Sequence, residues 1–159
     1  MIVASGNLSK NFSQAEYYKG VSTAYMYDVT YTFIKCIQKF RSWLKQPMYV
    51  VSWWRSKAQN TKLKGHPNSN HIRGAAMDWN LGNGKGFTKA QFISYAKKWA
   101  EICKLFGCVG EAGLYDNGWI HLGIQNPTQA DSTGRKFVHW HTDKNGKQTN
   151  NPYSELKGL

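Results

Sequence analysis

Long apolar runs, cysteines and acidic side chains are all scarce in this sequence of 159 residues. No apolar run reaches the ~20 residues that a membrane-spanning helix needs, so we expect no transmembrane segment. The first residues, Met-Ile-Val-Ala-Ser-Gly, lack the basic and long apolar regions of a signal peptide. We therefore expect the chain to be made in a cytoplasm without a signal peptide, and to need another route for any export.

Cysteine occurs three times, at Cys36, Cys103 and Cys108, an odd number without the Cys-x-x-Cys spacing of thiolate zinc sites. Cys36 and Cys103 fall on the apolar faces of two predicted helices. The sequence therefore predicts buried free thiols rather than a disulfide framework or a zinc site built from cysteine.

Acidic side chains number nine against 21 lysines and arginines, which gives a formal net charge of +12. Such a surface attracts polyanions, among them nucleic acid, teichoic acid, anionic lipid and lipopolysaccharide. The alternative is a solvated basic surface with no partner. We expect the charge to serve a polyanionic partner.

Apolar residues make up 41% of the chain and aromatic residues 14%, which suits one packed globular domain over residues 1–159. Apolar spacing predicts helices at about 25–44 and 88–106. Capping boxes at 13–16 and 88–91 mark the start of a short helix and of the second long one. Residues 59–70 are polar and predict a loop. Strand patterns occur at 48–54, 72–81, 108–111 and 119–124.

The tail, 125–159, contains an apolar-polar run at 136–141 and then Asn145-Gly146. That dipeptide is a strong hairpin turn sequence, so we expect a hairpin in the tail. Together these patterns predict an α+β domain in which helices pack on a small antiparallel sheet.

A histidine and an aspartate stand seven residues apart at His71 and Asp78, with small residues between them that let the backbone pass close to a neighbour. A third candidate ligand, His121, lies downstream in an apolar, strand-like run. Two imidazoles and one carboxylate leave one position of a tetrahedral zinc ion open for water, as in catalytic zinc sites. The spacing alone is compatible with a metal site and does not require one.

The pattern Ser-x-His-x-x-Gly-x-Ala-x-Asp at 69–78, with Trp-x-His at 119–121, resembles the signature of the zinc D-Ala-D-Ala carboxypeptidases and L-alanyl-D-glutamate endopeptidases. Their superfamily includes lysostaphin-type enzymes and the hedgehog signalling domain. Segments at 8–13 and 52–56 resemble the short phage-borne members. The resemblance covers about residues 8–124 and leaves the tail uncovered. It implies the hedgehog-like fold of this family, one zinc ion per chain and the ligands His71, Asp78 and His121.

The same resemblance implies that Arg55 and Ser69 hold the substrate peptide. The planar guanidinium of Arg55 suits the carboxylates of acidic stem peptides, although an arginine at a strand end can also be a plain surface charge. The hydroxyl of Ser69, two residues before a ligand, could bind the substrate backbone or make a hydrogen bond within the loop.

The general base is where the sequence departs from this family, because its usual Glu or Asp three residues before the last histidine is Gly118 here. Elimination among the nine acids leaves Glu111 and Asp116. If antiparallel strands place residue 111 opposite 121, their Cβ atoms lie ~5 Å apart on one face, whereas a slip of one residue turns Glu111 away. We expect Glu111 to be the base. Asp116 is the alternative, although aspartate is ordinary in an Asp-Asn-Gly turn.

His139 and His141 project from one face of a predicted strand in the tail. Such a pair could bind a metal, but the resemblance asks for none there. We expect an exposed strand face.

Four tryptophans could line a groove for glycan or peptide, or could lie in the core: Trp53, Trp54, Trp119 and Trp140. The sequence does not separate these two interpretations.

The patterns and the resemblance together predict a zinc metallopeptidase that cleaves the stem peptides of peptidoglycan, of the small phage-endolysin kind. We expect a monomer that acts at the bacterial cell wall or periplasm. The bond cut is L-Ala–D-Glu or the terminal D-Ala–D-Ala, with the endopeptidase favoured. Two alternatives remain: a hedgehog-like module that binds zinc without hydrolysis, and a basic nucleic-acid-binding domain.

Overall fold

The computed structural model describes residues 7–18, 26–125 and 136–159. Its helices are α1 (Gln14–Tyr18), α2 (Asp28–Leu44), α3 (Lys57–Lys62) and α4 (Lys89–Leu105), with 3-10 turns at Asn70–Arg73 and Ser154–Leu156. Its strands are β1 (Asn7–Ser9), β2 (Phe12–Ser13), β3 (Tyr49–Ser52), β4 (Ala76–Asn80), β5 (Gly110–Tyr115), β6 (Trp119–Ile124), β7 (Val138–Thr142) and β8 (Gln148–Asn150). The first two strands pair with each other, and the other six form one mixed sheet in the order β3-β4-β6-β5-β7-β8.

Helix α2 forms where the apolar spacing predicts it. Phe33, Ile37 and Phe40 follow one another at three or four residues and are fully buried. The helix ends where Lys45 adopts a left-handed backbone, φ 57°, and donates its N–H to the carbonyl of Arg41. Burying each large apolar side chain contributes about 1.5–3 kcal/mol, so this stripe holds the helix against the core.

Helix α4 begins with the predicted capping box, in which the Thr88 hydroxyl accepts the N–H of Gln91 at 3.2 Å. The indole N–H of Trp99 donates to the carbonyl of Gly123 in β6 at 2.9 Å, which attaches the helix to the sheet. Trp99 also meets Phe33 of α2 edge to face, with ring centroids 5.8 Å apart. No helix in the described part of the chain is long and apolar enough to cross a membrane.

Several predicted segments differ from the structure. The first residues of the polar loop predicted at 59–70 belong to α3, whose capping box joins Ser56 and Gln59. That helix lacks an apolar stripe because its buried position is an asparagine, Asn60, so periodicity could not reveal it. The strand predicted at 72–81 is shorter, because a 3-10 turn precedes it and Gly74 ends that turn with a left-handed backbone, φ 64°.

Strand β5 extends to Tyr115, four residues beyond its predicted end at 111. Gly113 lies inside it because the indole of Trp140 fills the space above that residue, and a Cβ there would stand 2.3 Å from the ring. The turn to β6 is therefore short, and Gly118 takes a left-handed backbone in it, φ 87°.

The tail forms the predicted hairpin. Strands β7 and β8 pair antiparallel, and Gly146 supplies a left-handed residue between them, φ 81°. Strand β7 also pairs in parallel with β5, so the sheet is mixed rather than wholly antiparallel. The predicted α+β class is confirmed.

The three cysteines are buried free thiols, as predicted. They come from α2, from α4 and from the residues just before β5. The Sγ atoms of Cys36 and Cys108 lie 3.9 Å apart, which is too far for a disulfide bond.

Candidate metal centre

Three side chains that the sequence singles out meet on the face of the sheet opposite the long helices. Asp78 of β4 and His121 of β6 are paired directly across the two strands. Side chains alternate between the faces of a strand, and Trp79, the next residue, points to the other face, where it packs on α2 and α4. His71 reaches the same point from the 3-10 turn before β4.

The three candidate ligand atoms form a tight triangle. The Nε2 atom of His71 lies 3.2 Å from Nδ1 of His121 and 3.3 Å from Oδ1 of Asp78, and the last two atoms are 2.9 Å apart. A tetrahedral zinc ion with bonds of about 2.0–2.1 Å separates its ligand atoms by about 3.3–3.4 Å. The size of the triangle and its two nitrogens and one oxygen therefore fit a zinc ion.

Each of these side chains is also held by a partner outside the triangle. The Nδ1–H of His71 donates to the carbonyl of Trp53 at 2.6 Å, which leaves Nε2 to face the triangle. The Nε2–H of His121 donates to Oε1 of Glu111 at 3.1 Å. The Oδ2 atom of Asp78 accepts from the guanidinium of Arg55. Partners of this kind fix the ring orientation and the tautomer of metal-binding histidines.

Burial and mutual charge set the ionisation of the cluster. Burial disfavours the charged form of His71 and lowers its pKa. Burial also opposes ionisation of Asp78, but the charges and hydrogen bonds of the two histidines outweigh it and hold the pKa of Asp78 well below its usual range. For His121, burial is outweighed by hydrogen bonds to Asp78 and Glu111, which raise its pKa to about 9. A divalent cation at the triangle would displace the proton that His121 holds there.

Short-range features of the sequence place His71. Its N–H donates to the hydroxyl of Ser69 at 3.3 Å, which caps the 3-10 turn, and its carbonyl accepts the N–H of Arg55 at 3.1 Å. Gly74 ends the turn and packs so closely on Tyr17 that a Cβ would stand 2.2 Å from the phenolic oxygen. Both the left-handed backbone and this neighbour therefore require glycine at position 74.

The two residues expected to bind substrate lie at the centre, and both have partners within the protein. Arg55 donates from Nη2 to Asp78 and from Nε to the hydroxyl of Ser52 at 2.8 Å, and 16% of its side chain is exposed. The Ser69 hydroxyl makes the local hydrogen bond that the sequence left open as an alternative. Both side chains also line the groove into which the triangle opens.

Glu111 reaches the cluster in a register that differs from the expected one. It pairs with Gly123, while His121 pairs with Gly113, so the strands are shifted by two residues from a 111–121 pairing. Because side chains alternate, a shift of two keeps Glu111 and His121 on one face. The carboxylate reaches the imidazole diagonally, across the space beside Gly123.

Asp116 lies apart from the triangle, in the turn between β5 and β6. Its exposed carboxylate accepts from Nε2 of His141 at 2.7 Å and from the N–H of Lys144 at 3.1 Å. Gly118 follows in the same turn with a left-handed backbone, and a Cβ there would stand 3.3 Å from the Cα of Gly86. An acid at position 118 would be strained, and the carboxylate that contacts the cluster comes from β5 instead.

The groove at the triangle has a volume of about 790 Å³. Trp140 of β7 lines it and packs on His121, with ring centroids 4.9 Å apart. From the sequence, Trp140 could either line a groove or lie in the core, and the structure places it in the groove. The alternation at 136–141 was the available clue, since it puts Trp140 on the face opposite the two tail histidines.

The expectation of an exposed face for these histidines is wrong for His139. Its side chain is only 3% exposed and lies against Tyr153, with ring centroids 5.6 Å apart. The end of the chain folds back across β7, a long-range contact that local pattern does not reveal. His139 and His141 contribute no atom to the triangle of candidate ligands.

A family model described as Peptidase M15 matches residues 9–123 of the chain. The match includes all three candidate ligands and Glu111, and it ends before the β7–β8 hairpin. No curated protein and no solved structure matches. The family is zinc-dependent, in agreement with the fit of zinc to the triangle. Because the match covers well over half of its length, the chain belongs to the peptidase M15 family.

Proposed function

We propose that this protein is a zinc metallopeptidase of the endolysin type that cleaves the stem peptides of peptidoglycan. The observation that carries the proposal is the triangle of His71 Nε2, Asp78 Oδ1 and His121 Nδ1, spaced as the ligands of one tetrahedral ion. Membership of the peptidase M15 family supports the class of reaction.

The triangle would hold the zinc ion through its three ligand atoms. When bound, zinc supplies a Lewis acid that polarises a peptide carbonyl and lowers the pKa of water. Three protein ligands leave one coordination position for water or substrate, as in catalytic zinc sites. All three side chains line the groove, so a peptide lying in the groove would meet the metal.

We assign proton transfer to Glu111. Among the described residues that line the groove, the acids are Asp78 and Glu111, and both oxygens of Asp78 are already engaged. Burial opposes ionisation of Glu111, but the hydrogen bond and charge of His121 outweigh it and lower its pKa. The carboxylate is therefore ionised at neutral pH and able to take a proton from the attacking water and deliver it to the leaving amine.

The substrate's carboxylates suit one side of the groove, which we call the basic side and which consists of Arg55, Lys64 and His66. An arginine has five N–H donors, so Arg55 can bind a carboxylate while it holds Asp78. Ser69 lines the same groove and supports the same assignment. The carboxylates of acidic stem peptides match these cationic and hydrogen-bonding groups.

The net charge of +12 suits an enzyme that works on an anionic surface. Cell walls carry anionic polymers, and long-range attraction concentrates a basic protein on them. We therefore assign the site of action to the bacterial cell wall, with those polymers as further partners.

The test is to incubate zinc-loaded protein with purified peptidoglycan and to follow released amino groups, with mass spectrometry of the fragments. We expect release that a chelator abolishes and that the His121→Ala variant lacks. Zinc binding without release would favour the hedgehog-like module, which the position of Glu111 argues against. Nucleic-acid binding that survives chelation would favour a basic nucleic-acid-binding domain.

A further inference from the structure

The groove has two chemically different sides. The basic side presents guanidinium, ammonium and imidazole groups. Arg55 follows β3 at one edge of the six-stranded sheet, and the β7–β8 hairpin forms the opposite edge. None of the described hairpin residues that line the groove is charged. We call this opposite side the hairpin side, and its residues are Val138, Trp140, Thr142, Gln148, Asn150 and Asn151. It lies outside residues 9–123, so the match to the family model does not account for it.

The register of the hairpin directs these side chains to one face. Trp140 pairs with Asn150, and Thr142 pairs with Gln148. Residues two apart in a strand share a face, so the four side chains form one patch. The amides of Gln148 and Asn150 are exposed and bonded to each other at 2.7 Å. The end of the chain covers the other face, which leaves this patch for the groove.

An indole beside neutral amides suits an uncharged sugar. Aromatic rings offer a broad apolar surface for the C–H face of a sugar, and amides both donate to and accept from hydroxyl and acetamido groups. None of the described hairpin residues that line the groove is positively charged, so a carboxylate has no matching cation among them.

We propose that the hairpin side binds the N-acetylmuramoyl sugar that carries the stem peptide, while the basic side binds the acidic residues of the peptide. This inference rests on the proposed function. Trp140 packs on His121, so a sugar on Trp140 lies next to the metal centre. Peptidoglycan presents the sugar, L-Ala and D-Glu in that order, and the L-Ala–D-Glu bond is one residue from the sugar.

The position of the sugar also selects the bond that is cut. The D-Ala–D-Ala bond lies three residues further from the sugar, about 10 Å along an extended chain. A substrate whose sugar sits beside the metal centre would place that bond beyond the site. The enzyme is then an L-Ala–D-Glu endopeptidase whose efficiency depends on the sugar.

The experiment compares two peptides of identical sequence beginning L-Ala-D-Glu, one capped with N-acetylmuramoyl and one with acetyl. Both caps remove the charge of the α-amine, so the comparison isolates the sugar. We expect kcat/KM to be about 10-fold higher for the muramoyl peptide, which corresponds to ~1.4 kcal/mol. Gln148→Ala and Asn150→Ala should each lower this ratio several-fold.

Thr149→Ala is the matched control, because it changes the same exposed strand at a residue that pairs with His141 on the other face. It should leave the ratio and both rates at wild-type values. Equal turnover of the two peptides by the wild-type protein would overturn the proposal. So would hairpin variants that slow both peptides equally, since the hairpin would then bind the peptide and not the sugar.

A binding measurement separates this inference from the proposed function. N-acetylmuramoyl-L-alanyl-D-isoglutamine is titrated into the zinc-loaded protein, and saturation transfer to the sugar protons is recorded by NMR. We expect transfer that Gln148→Ala and Asn150→Ala weaken and Thr149→Ala preserves. Absence of any release from peptidoglycan contradicts the proposed function. Release from peptidoglycan without cleavage of either peptide contradicts the L-Ala–D-Glu assignment, and absence of transfer to the sugar contradicts the hairpin assignment whatever the activity.

Discussion

The carboxylate of Glu111 occupies the space that a side chain at Gly123 would fill. The two residues pair across β5 and β6, and a Cβ on Gly123 would stand 2.5 Å from Oε1 and 2.9 Å from Cγ of Glu111. The same Cβ would lie 3.0 Å from Nε2 of His121. The absence of a side chain at position 123 is thus what allows the glutamate to reach the histidine diagonally.

Gly123→Ala should therefore displace the Glu111 carboxylate and break its hydrogen bond to His121. Position 123 has no left-handed backbone, so the fold should survive with a loss of about 1–3 kcal/mol from overpacking. We expect zinc to be retained and peptidoglycan hydrolysis to fall by ~10-fold or more. Gly86→Ala is the control, because a Cβ there meets only an ordinary contact at 3.6 Å. Full activity in Gly123→Ala would show that this contact has no role.

Glu111→Gln tests proton transfer directly. Glutamine keeps an oxygen that accepts from His121 but cannot take up a proton, so zinc content and the fold should be unchanged. We expect the rate to fall ~100-fold or more, as when a general base is removed. Asp116→Asn should be close to the wild-type rate, because Asp116 bonds His141 in an exposed turn. The reverse pattern would move the role to Asp116.

Purified protein should carry about one zinc ion per chain, measured by atomic emission. His71→Ala and His121→Ala should each lose most of the metal while circular dichroism reports an intact fold, because each removes one corner of the triangle. His66→Ala, an exposed histidine on the basic side of the groove, should keep it. Full zinc content in both of the first two variants would reject the ligand set.

Arg55→Ala should weaken zinc binding by about 10–100-fold, because the guanidinium holds the Oδ2 atom of Asp78 and partners of this kind orient metal ligands. Competition with a chelator measures this affinity without reference to activity. Arg55→Lys should recover only part of the loss, since one ammonium cannot reproduce the fork that joins Asp78 and Ser52. Lys62→Ala removes one exposed charge of α3 and should leave zinc affinity unchanged. Unaltered zinc affinity in Arg55→Ala would show that this arginine does not support the metal site, and would leave substrate binding as its role.

Lysis of purified cell walls should slow as salt concentration rises. Charges separated by more than ~8 Å are largely screened at 0.15 M ionic strength. Added salt therefore weakens the long-range attraction between a protein of net charge +12 and an anionic surface. Hydrolysis of a short soluble peptide should depend much less on salt. A flat response of wall lysis across a wide salt range would contradict electrostatic attraction.

Local chemistry explains what the sequence predicts well. The stripe that begins at Phe33 in α2 and the capping box at Thr88 in α4 depend on residues within one or two helical turns, so their positions can be predicted from spacing. The hairpin at Gly146 is equally local. Helix α3 was missed because its buried residue is polar, and β5 was cut short because Gly113 resembles a turn residue until Trp140 is placed above it.

The sequence by itself determined the two long helices, the α+β class and three candidate ligands, because each depends on periodicity or on a short motif. Only the tertiary structure decided which atoms of His71, Asp78 and His121 converge, since the turn and two strands that carry them must first pack. It also decided the register that brings Glu111 to His121, and the parallel pairing that brings Trp140 to the groove. Strand register and pairing depend on contacts between residues distant in the chain, and local spacing carries no record of them.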